Sequence, residues 1–206
     1  MKKEHLFFDF DGMTFDTLPS TLEFINQYYN TDIQMHEIIG HGSKLELVIQ
    51  KHTGDMSITR DEFYRLYGEK YLPSIELHKN VQPMKNAQKI VNLLNQKYVL
   101  HTVTARQITG HGVISHLIDR HLDGSIKNIH CVWRKDENGN FTEITKKDYI
   151  KNIDGYKVAF FGDSQHEVDD MHGVLPSFLF DPNNHYPEIS QKNKITDWVQ
   201  IGDMYL

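Results

Sequence analysis

The sequence predicts an α/β protein with a parallel sheet flanked by helices and a small all-helical segment inserted after the first strand. A short apolar run at residues 6–8 ends in two acidic residues and a glycine. Residues 17–80 carry only helical periodicity, whereas strand-like and helical segments alternate from residue 81 onward. Such alternation favours a parallel sheet with right-handed crossovers. We therefore expect an α/β core at residues 1–16 and 81–206, with residues 17–80 as the insert.

The composition excludes several classes of protein. The 206 residues are 39% hydrophobic and 24% charged, as in ordinary soluble globular proteins. A net charge of −6 argues against nucleic-acid binding, and no apolar run approaches the roughly 20 residues of a membrane span. The first apolar run is too short and acidic for a signal peptide, and the single Cys131 excludes an intramolecular disulfide. We expect a cytoplasmic protein without a nucleic-acid or membrane partner, and the sequence indicates no oligomeric state.

The first predicted strand, residues 6–8, leads directly into Asp9, Asp11 and Gly12. A continuous apolar run of this kind is typical of a buried, central strand. Open α/β sheets bind ligands at the carboxyl ends of their strands, so both carboxylates are candidate site residues. Gly12 permits a tight turn that brings N–H groups close to an anion. A solvated acidic turn is the alternative interpretation of these residues taken alone.

The inserted segment is predicted to contain helices only. Apolar side chains recur at helical spacing at residues 17–29, 35–39, 44–52 and 59–71. Thr59 and Glu62 have the spacing of a capping box. We expect this segment to cover the site; extra helices on the same core are the alternative. Its candidate ligand contacts are Tyr28, Tyr64, Tyr67 and His41, although core packing explains the tyrosines equally well.

The remaining elements follow in alternation. The expected helices are residues 82–94, 108–121 and 147–153, and the expected strands are 98–103, 126–133, 157–161 and 177–180. Asn138-Gly139 indicates a hairpin turn before Phe141. The tail from residue 186 suggests only a helix.

The strand at residues 98–103 is followed by Thr104, Ala105 and Arg106. Arg106 adds a planar, always-charged donor near the expected mouth of the site. A helix cap at the end of the strand is the alternative interpretation of the threonine.

These motifs, in this order, resemble those of the haloacid dehalogenase-like (HAD) phosphohydrolases. The first motif of that family is Asp-x-Asp-Gly-Thr/Val, which Asp9, Asp11 and Gly12 match, whereas Met13 departs from it. The second motif is a strand ending in Ser or Thr, and Thr104 matches it. The resemblance implies that the Thr104 hydroxyl and nearby N–H groups hold a phosphate oxygen.

The third motif of the family is a lysine ahead of a short helix. Lys146 and Lys147 both precede Asp148-Tyr149-Ile150. Lys146 aligns better with the Lys-x-x-aromatic-Ile pattern, and Lys147 remains the alternative. The ammonium group would neutralise charge on Asp9 and on the phosphoryl oxygens.

The fourth motif is Gly-Asp-x-x-x-Asp, which Asp163 and Glu167 match with Glu in place of the second Asp. Mg²⁺ prefers oxygen ligands and takes only a few carboxylates. The resemblance implies that Asp9, Asp163 and the main-chain carbonyl of Asp11 bind Mg²⁺, while Glu167 orients a bound water. Two further acidic residues, Asp169 and Asp170, lie close by in the sequence. They leave the register of the motif open.

The resemblance implies a Rossmann-like core, a C1-type cap at residues 17–80 and Mg²⁺-dependent hydrolysis of phosphomonoesters. Asp9 would attack phosphorus to form an aspartyl-phosphate, and Asp11 would act as general acid and then general base. Expected contacts to the phosphoryl group come from Gly12, Thr104, Ala105, Arg106 and Lys146. The substrate would be a small phosphorylated metabolite. Residues 16–29 and 98–107 are most similar to nucleotidase-like members, which suggests a nucleotide.

Two alternatives to hydrolysis remain open. A phosphomutase or phosphotransferase of the same family would use every one of these residues. The other alternative is a non-catalytic ligand-binding protein on the same scaffold. Met13 and Glu167 mildly favour it, whereas the intact acids and lysine of the four motifs oppose it.

Overall fold

The computed structural model describes residues 3–38, 44–135 and 141–206. The strands are β1 (Glu4–Phe8), β2 (Phe15–Asp16), β3 (Gln82–Pro83), β4 (Val99–Gln107), β5 (Asn128–Lys135), β6 (Phe141–Glu143), β7 (Tyr156–Gly162), β8 (Ser177–Phe180) and β9 (Lys194–Ile195). The α-helices are α1 (Leu18–Tyr29), α2 (Leu45–Thr53), α3 (Arg60–Leu66), α4 (Ala87–Leu94), α5 (His111–Leu122), α6 (Lys146–Asn152), α7 (Gln165–Asp170) and α8 (Trp198–Tyr205).

The main sheet has the strand order β6-β5-β4-β1-β7-β8-β9. Neighbouring strands run parallel except β5 and β6, which pair antiparallel. This confirms the predicted α/β class and the central position of the first strand. β4 pairs with one side of β1, and β7, which comes later in the chain, pairs with the other side. The topological switch point therefore lies at the carboxyl end of β1. Ligands of open α/β sheets bind at such a point.

Side chains of β1 fill hydrophobic clusters on both faces of the sheet. Leu6 and Phe8 pack with α4, α5 and α8, whereas Phe7 packs with α6 and α7. All three are fully buried, which explains the uninterrupted apolar run. Met13 also belongs to the core, and its carbonyl accepts a hydrogen bond from the indole of Trp198 at 2.9 Å.

Helices α1 to α3 share a separate apolar cluster. Its members include Phe24, Ile25, Ile49, Phe63 and Tyr71. The predicted capping box is confirmed at α3, where the Thr59 hydroxyl accepts from the N–H of Glu62 at 3.2 Å. The helix predicted at residues 35–39 is instead a single 3-10 turn at Met35–Glu37, and His41 lies outside the described residues.

The two connections between these helices and the sheet are paired with each other. β2 and β3 form an antiparallel ribbon in which Phe15 faces Pro83 and Asp16 faces Gln82. The prediction that Gln82-Pro83 opens a helix was therefore wrong, and α4 begins at Ala87. Since proline is tolerated at the edge of a sheet, a two-residue ribbon can accommodate it.

Other differences from the predicted elements lie at their ends. β4 continues to Gln107, so that Thr104 lies within the strand, and α5 follows a 3-10 turn at Ile108–Gly110. The tail carries β9 as well as the expected helix, α8. The predicted turn at Asn138-Gly139 lies outside the described residues, although β5 and β6 on either side pair as a hairpin requires.

Among the described residues, no helix has both the length and the apolar character needed to cross a membrane.

Candidate functional site

Asp9 lies immediately after β1, at the switch point. Its N–H donates to the carbonyl of Phe161 in β7 at 2.8 Å, which anchors the backbone between two strands. One carboxylate oxygen accepts from the N–H of Phe10 at 2.6 Å, and the other accepts from Lys146 Nζ at 2.7 Å. The side chain is thus buried and held in one orientation.

The turn after Asp9 depends on Gly12. Gly12 has φ of +67°, a conformation that side-chain-bearing residues rarely adopt. Its N–H donates to the carbonyl of Phe15 at 2.9 Å, so this group closes the turn instead of facing an anion as the sequence suggested. The hydroxyl of Thr14 donates to the carbonyl of Asp9 at 2.6 Å and stabilises the same turn.

The first residue of α6 brings an ammonium group into the site. Lys146 Nζ donates to carboxylate oxygens of Asp9 and Glu167, each at 2.7 Å. Lys147 points elsewhere and forms a surface ion pair with Asp170 at 3.2 Å. The geometry therefore places Lys146 at the site and Lys147 outside it.

Asp9, Asp163 and Glu167 form a carboxylate cluster, in which one oxygen from each lies within 4.8 Å of the others. Asp163 follows β7, and Glu167 lies in the first turn of α7. A Cβ on Gly162 would lie 2.9 Å from the Phe160 ring, so glycine suits the tight packing there. Two neighbouring acids of α7, Asp169 and Asp170, bond instead to Gln165 and Lys147.

The charges in this cluster are unbalanced. Burial raises the pKa of Asp9 above the usual range of a carboxyl group, the ammonium of Lys146 opposes that shift, and Glu167 and Asp163 add to it. Burial alone would lower the pKa of Lys146, but Asp9 and Glu167 outweigh it and raise the pKa, so the amine stays charged. Three carboxyl groups around one ammonium, with hard oxygen donors, fit a divalent cation such as Mg²⁺.

Asp11 takes part in a second polar group, beside the cluster. Its two oxygens accept from Nε and one terminal nitrogen of Arg106 at 2.9 and 2.7 Å, and Thr17 donates to it at 2.6 Å. Arg106 is 5% exposed, whereas the sequence suggested a donor near the mouth of the site. Its other terminal nitrogen lies 3.2 Å from Nε2 of His78.

Thr104 and Ala105 lie in β4, beside the same cavity as Asp9 and Asp11. The Thr104 hydroxyl is buried and accepts from the N–H of Arg106 at 3.2 Å. Its proton is thereby available for donation toward the cavity.

The cavity has a volume of about 730 Å³ and lies between the sheet and helices α1 to α3. The helical side contributes apolar and aromatic residues, including Leu45, Phe63, Tyr64 and Tyr67, together with Arg60. Trp133 of β5 closes part of the wall. The candidates Tyr64 and Tyr67 thus line the cavity, whereas Tyr28 packs against Phe24 and Tyr29 on the surface of the helices.

The sequence reasoning missed three residues of this region. No sequence motif includes Thr17, His78 or Trp133. An isolated histidine or tryptophan in a sequence is explained as readily by packing as by a functional site. Only the folded chain brings Thr17 to Asp11, His78 to Arg106 and Trp133 to the cavity.

Comparison with solved structures places the whole chain in one fold group. A HAD-superfamily hydrolase of subfamily IA from Geobacter sulfurreducens superimposes with a TM-score of 0.67 at 14% identity, covering 99% of this chain and 97% of that one. A predicted phosphoglycolate phosphatase from Haemophilus somnus gives 0.65 at 16%, covering 100% and 99%. A Bacillus subtilis protein assigned to the HAD hydrolases, bound to magnesium and showing interdomain movement, gives 0.61 at 15%, covering 100% and 99%.

No protein-family model and no curated protein matches the sequence. The structural likeness nevertheless confirms the predicted HAD-like fold, because it extends over essentially the whole length of each chain.

Proposed function

We propose that this chain is a Mg²⁺-dependent phosphomonoester hydrolase, and that residues 17–80 form its substrate-recognising cap. The observation that carries the proposal is the position of Asp9, which lies beside Lys146 and two further carboxylates at the switch point of the sheet. The cavity above it can hold an organic leaving group. Similarity to solved structures named as HAD hydrolases and phosphatases supports the same activity.

Asp9, Asp163 and Glu167 would hold the Mg²⁺, since one oxygen of each is already within 4.8 Å of the others. Bound Mg²⁺ would neutralise charge on the phosphoryl oxygens. The sequence placed Glu167 behind a water molecule, but the cluster supports its direct participation.

The chain's own residues provide the covalent chemistry. The Asp9 carboxylate attacks phosphorus, the bond from phosphorus to the ester oxygen breaks, and Asp11 donates a proton to the departing alkoxide. Asp11 then removes a proton from the water that hydrolyses the aspartyl-phosphate. Lys146 and the N–H of Phe10 orient Asp9, and the Thr104 hydroxyl donates to a phosphoryl oxygen.

The substrate class follows from the size and lining of the cavity. About 730 Å³ lies within the range of pockets that enclose drug-sized ligands. Tyr64, Tyr67 and Trp133 offer aromatic surfaces, and Arg60 offers a cationic group. We propose a nucleoside monophosphate, whose flat base can stack on such surfaces. Higher kcat/KM for nucleotides than for sugar phosphates of similar charge would support this choice, and the reverse ranking would reject it.

The roles of the two carboxylates can be separated by the leaving group. Asp9→Asn should abolish cleavage of every ester, because an amide is a poor nucleophile. Asp11→Asn should slow release of an aliphatic alcohol by about 10²–10⁴-fold, as is typical for loss of a general acid. Nitrophenolate leaves without a proton, so mixing Asp11→Asn protein with p-nitrophenyl phosphate should give a burst, with phosphoenzyme detected by mass spectrometry.

Asp16→Asn, an exposed change in the same stretch, is the matched control and should behave as wild type. A burst from the Asp9→Asn variant would place the nucleophile elsewhere. Equal losses with both kinds of ester, and no adduct on Asp11→Asn protein, would remove Asp11 from acid–base catalysis.

A further inference from the structure

Arg106 makes contacts that the proposed chemistry does not yet explain. Its guanidinium donates to both oxygens of Asp11, at 2.7 and 2.9 Å, in the fork-like geometry that fixes a carboxylate plane. It also lies 5.0 Å from the ring centre of Phe10. A buried arginine held in this way is poorly placed to serve as a mobile phosphate-binding donor.

Arg106 and Thr17, which donate hydrogen bonds to Asp11, belong to different parts of the fold. Arg106 belongs to β4 of the main sheet, whereas Thr17 lies in the connection from the sheet to α1. Oδ1 of Asp11 accepts from both Arg106 and Thr17, so proton transfer through that oxygen requires exchange of one of these contacts. The contact to Thr17 is the one that movement of the helical segment can break, while Arg106 stays with the sheet.

The second connection reaches Arg106 through His78. Nδ1 of His78 lies 2.8 Å from the carbonyl of Ser74 and must donate to it, which leaves Nε2 to accept from Arg106 at 3.2 Å. Burial, followed by the charge of Arg106, lowers the pKa of His78 to about 4, consistent with this neutral tautomer. Tyr71 packs against the ring of His78, with ring centroids 4.2 Å apart, and hydrogen-bonds Ser20 at 2.5 Å, which joins this connection to α1.

We infer that Arg106 is the positioning residue for Asp11, holding the acid–base carboxylate in one plane while Thr17 is the partner exchanged for the leaving-group oxygen. This inference rests on the proposed hydrolase function. Arg106 touches the acid directly and the second connection through His78, so it links the position of the helical segment to that of the acid. This positioning role of Arg106 differs from the substrate-binding role that the sequence suggested.

The test compares two esters of similar size in single-turnover experiments on the same protein sample. Benzyl phosphate needs a proton on its leaving group, and p-nitrophenyl phosphate does not. Arg106→Gln should slow first-turnover cleavage of benzyl phosphate by about 10²-fold, the lower range for loss of general acid catalysis, and nitrophenolate release by much less. Arg106→Lys, which keeps the charge but not the fork, should be intermediate.

The ratio of the two rates does not depend on the folded fraction, so it remains informative if a variant is partly unfolded. Arg120→Gln is the matched control: its exposed guanidinium donates to the carbonyl of Lys79, and the ratio should match that of wild type. In an Asp11→Asn background, Arg106→Gln should not change the ratio further.

Equal slowing of both esters by Arg106→Gln and Arg106→Lys would overturn the inference and favour phosphate binding or a purely structural role. Failure of the wild-type protein to cleave either ester would instead reject the proposed function, and the inference with it.

Discussion

At the scale of single residues, adjacent positions in the sequence have unrelated environments. Lys146 contacts the buried carboxylate of Asp9 and the half-buried one of Glu167, whereas Lys147 forms an ion pair with Asp170 at the surface. The N-cap Thr145, which accepts from the N–H of Asp148 at 3.0 Å, sets where α6 begins and so which lysine faces the cluster.

We expect Lys146→Gln to lower kcat/KM by about 10²–10³-fold, because it removes a charge aimed at the reacting phosphoryl group. It also leaves the carboxylates of Asp9 and Glu167 without their ammonium, so the free energy of unfolding should fall by about 3–5 kcal/mol. Lys147→Gln is the control and should cost less than about 1 kcal/mol, as for surface ion pairs. Steady-state assays and urea titrations measure both. Comparable losses from the two variants would contradict this assignment.

Glu167 is a residue for which the carboxylate cluster supports a more direct role than the sequence predicted. It should contribute to Mg²⁺ binding about as strongly as Asp163, since both lie in one cluster with Asp9. Asp163→Asn and Glu167→Gln should each raise the Mg²⁺ concentration for half-maximal activity by about 10-fold or more. Asp170→Asn, at the surface end of α7, should leave it unchanged.

Titration of chelator-treated protein with Mg²⁺, followed by activity and by thermal unfolding, would measure these shifts. A much smaller effect of Glu167→Gln than of Asp163→Asn would restore the water-mediated role. Greater damage from changes at the surface acids of α7 would show that the motif has a different register.

At the scale of elements, β1 and β4 share a buried histidine pair. Nδ1 of His5 lies 2.8 Å from Nε2 of His101, whose other nitrogen lies 3.1 Å from the hydroxyl of Tyr149 in α6. Burial, then the neighbouring His5, lowers the pKa of His101 to about 4, and burial likewise lowers the pKa of His5. The sheet and α6 are thus joined by rings that must stay neutral.

This pair should make the fold sensitive to mild acid. In the unfolded chain histidine has a pKa of about 6.5, so below that pH protons bind the unfolded state preferentially. The contribution of His101 is complete above pH 6.5 and should be lost between pH 6.5 and 4, by up to about 3 kcal/mol. Urea unfolding across this range would measure it, with His101→Gln flattening the profile and the exposed His172→Gln leaving it unchanged. A steep profile in His101→Gln protein would assign the acid sensitivity to other groups.

At the scale of the whole molecule, the helical segment and the sheet have separate hydrophobic clusters joined at the β2–β3 ribbon. Asp16 and Gln82 face each other there, so a short linker can span the gap left by removing the helices. The cavity, however, needs both parts, since its walls come from both.

Replacing residues 18–80 with a short Gly-Ser linker should leave a folded sheet domain. That domain should retain weak hydrolysis of p-nitrophenyl phosphate, because Asp9, Lys146 and Asp163 remain. It should lose preference among natural phosphomonoesters, because the leaving-group contacts are gone. Circular dichroism and a substrate panel would test this, with Asp9→Asn in the shortened protein as the background control. An unchanged ranking of substrates would show that the helices are only structural.

Much of this protein could be predicted from local sequence signals. The apolar run of β1, the acids and glycine after it, and the alternation from residue 81 onward predicted the fold class and the edge of the sheet that carries the site. These features depend on strand polarity, turn geometry and periodicity, which neighbouring residues determine.

Only the tertiary structure decided which side chains meet Asp11. Arg106 lies 95 residues from Asp11 in the sequence, yet its guanidinium donates to both oxygens of that carboxylate. Neither the arginine–carboxylate fork nor the contact to His78 leaves a periodic or motif signal. Such pairings depend on strand order, helix start and burial acting together, and these are properties of the folded chain.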